Sequence, residues 1–555
     1  MFRENKDHLQ QDLFNSMSTM NPRSQKLLMN SWAKLFYEEV FCQIDETIFK
    51  PLYCEDNGRP NFPVNILLSL EFIKHFKNYT DEELLEQFHF NYQVMYSVGL
   101  RNLGELALAP RTLYEFRERI YSHVASNPDE TDLIFDQFEK LIQHFVAKAN
   151  LSADEQRVDS TQIMPNIKHA GRLSLGYDVL RQAIGDCPLE ILPERIQDVL
   201  KPEFKTELLY RTRTGDASSR LQELLNICTE LLAIVEDFPE LKRLDSIMLV
   251  ERFLTDQAKL EPESGSWIVK KNKEISARCL QSAYDPDATF RKKGGNKHVG
   301  YVLNLSETCN DENPVQMITD YTLEPNSAGD SKMLRERLHD IKKQHPELKD
   351  VYVDGAYYSD ELEELAQELK VKINYTNMTG RASSKIPLTD FDIEMTDEGA
   401  TVCCPYGQQA FPCYVNQKTQ DITAHFDLDK CAQCPARLAC PAKPKKNSAV
   451  LRITKKARLA ANVRKELSDD KKRLESTSKR AAIEGTNSAL KRAQGAGKLR
   501  VRTLVKSKVV IGLKIIGYNL RQLIRYTKND FRRGFKPKEY DSLPQGVSAP
   551  ILATT

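Results

Sequence analysis

Between His298 and Tyr375 the chain alternates in a way that few folds can satisfy. His298–Leu305 and Val315–Tyr321 read as successive strands, and Ser331–Lys343 reads as a helix. Val351–Val353 is a short apolar run that ends at Asp354. Ser359 can cap a following helix that turns Leu362, Leu365 and Leu369 inward, with Asp360 and Glu361 in its first turn. Val371, Ile373 and Tyr375 then alternate with Lys372 and Asn374, completing a βαβ unit. Such a unit crosses over in one hand only, so the two strands lie parallel in one sheet.

A similar run, Arg157-Val158-Asp159-Ser160-Thr161, stands far upstream and also carries an aspartate at its end. About 110 residues of helical sequence separate it from the rest. There Leu221, Leu224, Leu225, Cys228, Leu231, Leu232 and Val235 keep one helix face apolar, and Cys228 is a core position. A late helix carries Lys479-Arg480-Ala481-Ala482-Ile483-Glu484-Gly485. Strand, two strands, helix, strand, helix, strand and final helix is the order of a ribonuclease H-like α/β core with insertions.

Before that core, residues 1–152 read as all-helical. Leu67, Leu70, Ile73 and Phe76 have helical spacing after Phe62-Pro63. Thr80-Asp81-Glu82-Glu83 fits a capping box ahead of Leu84, Leu85 and Phe88, and Thr112 with Glu115 suggests a second box. Arg111, Arg117 and Arg119 on that second helix fit a helix-turn-helix-like DNA reader, and a plain helical bundle fits equally. The expected division is therefore 1–152 for a helical DNA-binding domain and 166–275 for a helical insertion. The catalytic core takes 153–165, 276–395 and 446–530, a Cys-rich insertion 396–445, and a tail 531–555.

Charge separates these parts. Residues 451–540 hold 26 Lys and Arg against 7 Asp and Glu, whereas the remainder holds 53 against 71. A basic segment within a chain of net charge +1 suggests a local surface for a polyanion. No apolar run approaches the roughly 20 residues of a membrane span, and the start of the chain lacks a signal-like apolar core. An intracellular, cytoplasmic protein with no membrane partner is expected. Most of the twelve cysteines are scattered singly, as in a reducing compartment.

The exception is Cys404-Pro405-Tyr406-Gly407 followed by Cys431-Ala432-Gln433-Cys434 and Cys440. Four thiolates in two groups suit tetrahedral Zn²⁺, and reduced, metal-free thiols suit the same residues. Cys403, Cys413 and His425 blur any ligand assignment. Arg291-Lys292-Lys293-Gly294-Gly295-Asn296-Lys297 reads as a basic hairpin turn and lacks the spacing of a P-loop.

Asp159, Asp354 and Glu484 together suggest chemistry. Phosphodiester cleavage needs an activated oxygen nucleophile and relief of charge on a pentavalent transition state, and two Mg²⁺ ions about 3.5–4 Å apart provide both. Hard cations take oxygen ligands, so the protein supplies carboxylates. Each aspartate alone also fits a strand-end turn or cap. Lys479, Arg480, Lys491 and Arg492 lie around Glu484 and are expected to hold phosphates.

At these residues the chain resembles the bacterial insertion-sequence transposases of the DDE class, in the branch numbered eleven-eighty-two. The motifs are Val158-Asp159-Ser160-Thr161, Tyr284-Asp285-Pro286-Asp287-Ala288 with Gly300-Tyr301, Val353-Asp354-Gly355-Ala356-Tyr357, and Arg480 to Glu484-Gly485. The cysteine set resembles that branch too. The resemblance implies cutting of double-stranded DNA at the element's terminal inverted repeats and joining of the freed 3′ hydroxyls to a target. It implies Asp159, Asp354 and Glu484 as ligands of Mg²⁺ (or Mn²⁺), and a homodimer on DNA. Two alternatives are a catalytically inactive DNA-binding derivative and a stand-alone nuclease. Asn487 departs from the pattern, and Asp285 and Asp287 carry no derived role beyond a hairpin turn.

Overall fold

The computed structural model describes residues 1–528 apart from 11–14, 56, 129, 131, 264, 377, 379–385 and 397–398, so the tail 531–555 lies outside the described residues. The helices that matter first are α1 (Val64–Lys77), α2 (Asp81–Phe90), α3 (Pro110–Ser126) and α4 (Leu133–Lys148). Thr80 and Glu83 form the expected capping box at α2. The box expected at Thr112 does not form, because α3 already starts at Pro110, whose missing N–H suits a first helical position.

The central sheet comprises β1 (Glu155–Ile163), β2 (Thr289–Lys293), β3 (Asn296–Thr308) and β4 (Ile318–Pro325), then α5 (Asp330–Gln344), β5 (Asp350–Val353), α6 (Asp360–Glu368) and β6 (Lys372–Tyr375). Strand order is β2-β3-β1-β5-β6, with β4 also on β3. β1 pairs antiparallel with β3 and parallel with β5, and β5 pairs parallel with β6. The mixed sheet is completed by α7 (Asp470–Ala481), α8 (Ile483–Arg492) and α9 (Leu504–Thr527). β4 starts three residues later than its sequence suggests, since Val315 and Met317 are buried ahead of the strand.

Each face of the sheet has its own cover. Val158, Val351 and Val353 pack against Leu334, Leu338 and Ile341 of α5 and Leu362 of α6. On the opposite face Ile163, Tyr301, Leu303 and Leu305 join one continuous core with α8, α9 and the N-terminal helices. α1 is buried almost all round, as a helix apolar on every side must be. It lies so close to α9 that a Cβ on Gly517 would stand 3.1 Å from the backbone nitrogen of Phe76.

The insertion after β1 has a separate core, in which Cys228 is fully buried as expected. Residues 392–453 contain six short strands around a further small core. Among the described residues no helix is long and apolar enough to cross a membrane.

Asp285 and Asp287 anchor the start of α9. Asp285 Oδ2 accepts from the Thr503 amide at 2.9 Å while Oδ1 accepts from the Tyr301 hydroxyl, and Asp287 Oδ2 accepts from the Leu504 amide at 3.2 Å. Burial pushes the Asp285 carboxyl above the usual range, against those hydrogen bonds. Asp285→Ala leaves a buried hydroxyl and an amide without an acceptor, so a loss of about 2–3 kcal/mol is expected from the urea unfolding midpoint. An unchanged midpoint would mean that Asp287 holds α9 alone.

Candidate active site

Asp159 lies in the middle of β1, on the face shared with Ile163 and turned toward α8. The β1–β5 register pairs Arg157 with Tyr352; continued by two residues it sets Asp159 beside Asp354. Asp354 directly follows β5, and its Oδ1 accepts from the Ala356 amide at 2.7 Å, capping the turn Gly355–Tyr357. The cap reading of this aspartate is therefore realised. Glu484 stands in the first turn of α8, which a single residue, Ala482, separates from α7.

One guanidinium joins the three. Arg480 Nη2 lies 3.2 Å from Asp159 Oδ1 and 3.8 Å from Asp354 Oδ2, and Nη1 lies 3.2 Å from Glu484 Oε1. The two contacts to Nη2, added together, limit the separation of the aspartate oxygens to about 7 Å. Asn487, one turn beyond Glu484, donates from Nδ2 to Asp159 Oδ2 at 3.1 Å. Burial pushes the Asp159 carboxyl up, opposed by Arg480 and then Lys293. The buried Tyr357 hydroxyl donates to Asn304 at 2.5 Å, and its proton is held firmly by burial and by nearby Asp330, Asp159 and Asp354.

α8 is fixed to the sheet through Glu307 of β3, which is 1% exposed. Arg157 approaches it with Nε at 2.8 Å and Nη2 at 2.7 Å. Thr486 Oγ1 donates to its other oxygen at 2.7 Å, and Tyr518 of α9 reaches the same oxygen at 3.5 Å. Arg157 Nη1 also donates to the Lys479 carbonyl at 3.2 Å, tying in α7. Glu484 thus lies two residues before Thr486, the helix residue bonded to this buried inter-strand ion pair.

The cations expected to hold DNA divide into two kinds. Lys479 is held by Glu155 at 2.5 Å and Asp311 at 3.1 Å, turned away from the carboxylates. Lys491 is half-buried with Lys293 and Asp159 as charged neighbours, burial pushing its ammonium pKa down, and Arg492 is exposed. On α3, Arg117 is bound by Glu71 at 2.7 Å and by Asp81, joining α3 to α1 and α2. Arg119 lies over the Tyr53 ring at 4.9 Å, and Arg111 is exposed beside Glu115. Of these three, Arg111 and Arg119 are exposed, and Arg117 is partly buried in its ion pairs.

Residues 403–524 match the family model of the transposase DDE domain, and residues 26–119 match that of a transposase domain (DUF772). With these two matches, DUF772 ahead of the DDE domain, the chain fits an insertion-sequence DDE transposase. It is therefore a metal-dependent polynucleotidyl transferase or endonuclease of DNA transposition. The DDE-domain match includes Glu484 but neither aspartate. No curated protein matches the chain.

Oxygen donors of this transposase suit a hard divalent cation, and three carboxylates outnumber the one guanidinium among them. Yet among the described residues no three His, Cys, Asp or Glu side chains are gathered closely enough to hold a metal ion. For the carboxylates the reason is Arg480, which stands where they converge. The zinc reading of Cys404, Cys431, Cys434 and Cys440 is not supported. All four line a cavity of about 370 Å³, where the Gln408 backbone amide donates to Cys404 Sγ at 3.3 Å and its side-chain Oε1 accepts from Cys431 Sγ at 3.3 Å.

Sequence reasoning placed Asp354 at a strand end and Glu484 in a helix, as found, but put Asp159 at the end of a strand in whose middle it lies. It took Arg480 for a phosphate contact, set Asn487 aside as a departure, and did not find Glu307. Thr486 and Asn487, two polar residues inside an amphipathic helix beside Glu484, were the available signal.

Proposed function

We propose that this transposase cuts double-stranded DNA at the terminal inverted repeats of its own element and joins the exposed 3′ hydroxyls to target DNA. The observation that carries this reading is the convergence of Asp159, Asp354 and Glu484 on the Arg480 guanidinium. The strand order, with Asp159 on the central strand and Asp354 after its parallel neighbour, supports a ribonuclease H-like core. The division into 1–152, the split core, the 166–275 insertion and the 396–445 insertion belongs to the same proposal.

Asp159, Asp354 and Glu484 would hold Mg²⁺ or Mn²⁺. Bound there, the ions supply charge relief at the scissile phosphate and a more acidic water. The chain's own residues set the rest. Asn487 orients Asp159 through its second oxygen, the Ala356 amide orients Asp354, and Arg480 keeps the carboxylates together in the free protein. Lys491 and Arg492 would hold phosphates, and Arg111 and Arg119 are the exposed candidates for reading bases. The work would be done on cytoplasmic, nucleoid-associated DNA, by a homodimer that brings two element ends together.

A plasmid carrying the gene with its flanking DNA, incubated with purified protein and Mg²⁺, tests this directly. Nicks at the flanks with 3′ hydroxyl ends, followed by joined products, are expected. Nicking without joining would replace the reading by a stand-alone nuclease, and binding without nicking by an inactive derivative.

A further inference from the structure

The basic hairpin of β2 and β3 is not used by any contact described so far. Gly294 and Gly295 both have positive φ, 57° and 84°, which suits a two-residue turn between paired strands. Lys293 faces Asn296, Lys292 faces Lys297 and Arg291 faces His298 across the ladder. β3 then continues as the partner of β1, so the hairpin is a rigid extension of the strand that flanks Asp159. Gly300 marks where it leaves the sheet: a Cβ there would meet the Ile163 carbonyl oxygen at 2.5 Å.

The two faces of the hairpin differ. Phe290 and Val299 pack on Ile167 and Ala288, which holds one face down. Arg291, Lys293 and His298 share the other face. Arg291 is bound to Asp330 at 3.1 Å and ties the hairpin to the start of α5. Lys292, Lys293 and Lys297 are exposed, and among the described residues no carboxylate pairs with them. Lys293 is a charged neighbour of Asp159 and of Lys491, and His298 has Lys491, Lys293 and Arg291 around it. Crowding these cations beside one another is unfavourable in the free protein and is relieved by a polyanion lying among them.

We infer that the β2–β3 hairpin is a second jaw of the DNA site. Lys293, on the face toward Lys491, and Lys292 and Lys297, on the other face beyond Phe290 and Val299, bind backbone phosphates of a strand that passes around the tip of the hairpin on its way to Asp159 and Asp354. The inference rests on the transposase reading above and assigns to it a contact surface opposite α8. Because phosphates carry no sequence information, the hairpin contributes holding and placement.

The test is the salt dependence of binding to a random-sequence duplex by the triple variant Lys292→Gln/Lys293→Gln/Lys297→Gln. Each lost phosphate contact lowers the slope of log K against log salt by about 0.9, so a fall of about 2–3 is expected. The triple arginine variant should restore it, and an unchanged urea midpoint in the glutamine variant would show the fold intact. If the parent binds and the Lys491→Gln/Arg492→Gln variant loses slope while the hairpin variant does not, the inference falls and the transposase reading stands. A parent with no salt-dependent binding to duplex DNA would overturn both.

Discussion

Asp159→Asn is expected to lower strand cleavage by about a hundredfold to a thousandfold, the scale of removing one preorganised electrostatic contact at a reacting centre. Asparagine is nearly isosteric: its oxygen can accept from Arg480 and its NH2 can donate to Asn487 Oδ1 once that amide turns over, so the sheet should keep its geometry. What disappears is a buried negative charge beside Asp354 and Glu484, which a divalent cation needs. DNA binding should persist or tighten, because repulsion between the carboxylates and phosphate is reduced. Cleavage of a flank-bearing plasmid and binding of the same DNA, measured side by side, separate the two effects. Equal loss of both would mean that Asp159 holds structure and not chemistry.

Glu307→Ala should be the most damaging single change away from the carboxylates. It strands the Arg157 guanidinium in a nearly dry place, and breaking one side of a buried pair costs about 3–5 kcal/mol. It also frees Thr486 and Tyr518, loosening α8 at the turn that carries Glu484. Cleavage should fall with the urea midpoint. The double variant Arg157→Met/Glu307→Leu removes both charges and should regain much of the stability, since apolar replacements of buried pairs are often neutral or better. Cleavage by the double variant should remain low, because α8 has lost its polar anchor to β3. Full recovery of cleavage with stability would show that the pair does not position Glu484.

The position of Asp354 was legible because a strand end followed by a turn leaves a local signature, whereas Asp159, expected at a strand end, lies in mid-strand. The sequence understated β1, which reads as short and weakly apolar but runs nine residues through the centre of the sheet. The reason is that its buried positions carry polar side chains, Gln156, Arg157, Asp159, Ser160 and Thr161, of which Arg157 pairs with Glu307 and Gln156 Oε1 accepts from Thr319 Oγ1 at 2.8 Å. The Thr80 box was legible because its two halves lie three residues apart in one segment. Arg117 and Lys479 were misread for the opposite reason. Charge is visible in sequence, but the direction of a long side chain depends on carboxylates 36 and 324 residues away. The cysteines showed spacing and not their hydrogen bonds to Gln408. Asp285 and Asp287 lacked a role because the helix they anchor begins more than two hundred residues later.

Iron-directed cleavage of the polypeptide tests the central claim most directly, because it asks where a divalent cation sits without relying on DNA. With Fe²⁺, ascorbate and peroxide, the parent protein should be cut near Asp159 and Asp354, with a further cut near Glu484. Excess Mg²⁺ should suppress these cuts, and Asp354→Asn should remove them. Cuts confined to the stretch from Cys404 to Cys440, or cuts that Asp354→Asn leaves unchanged, would contradict a metal site built by these three carboxylates.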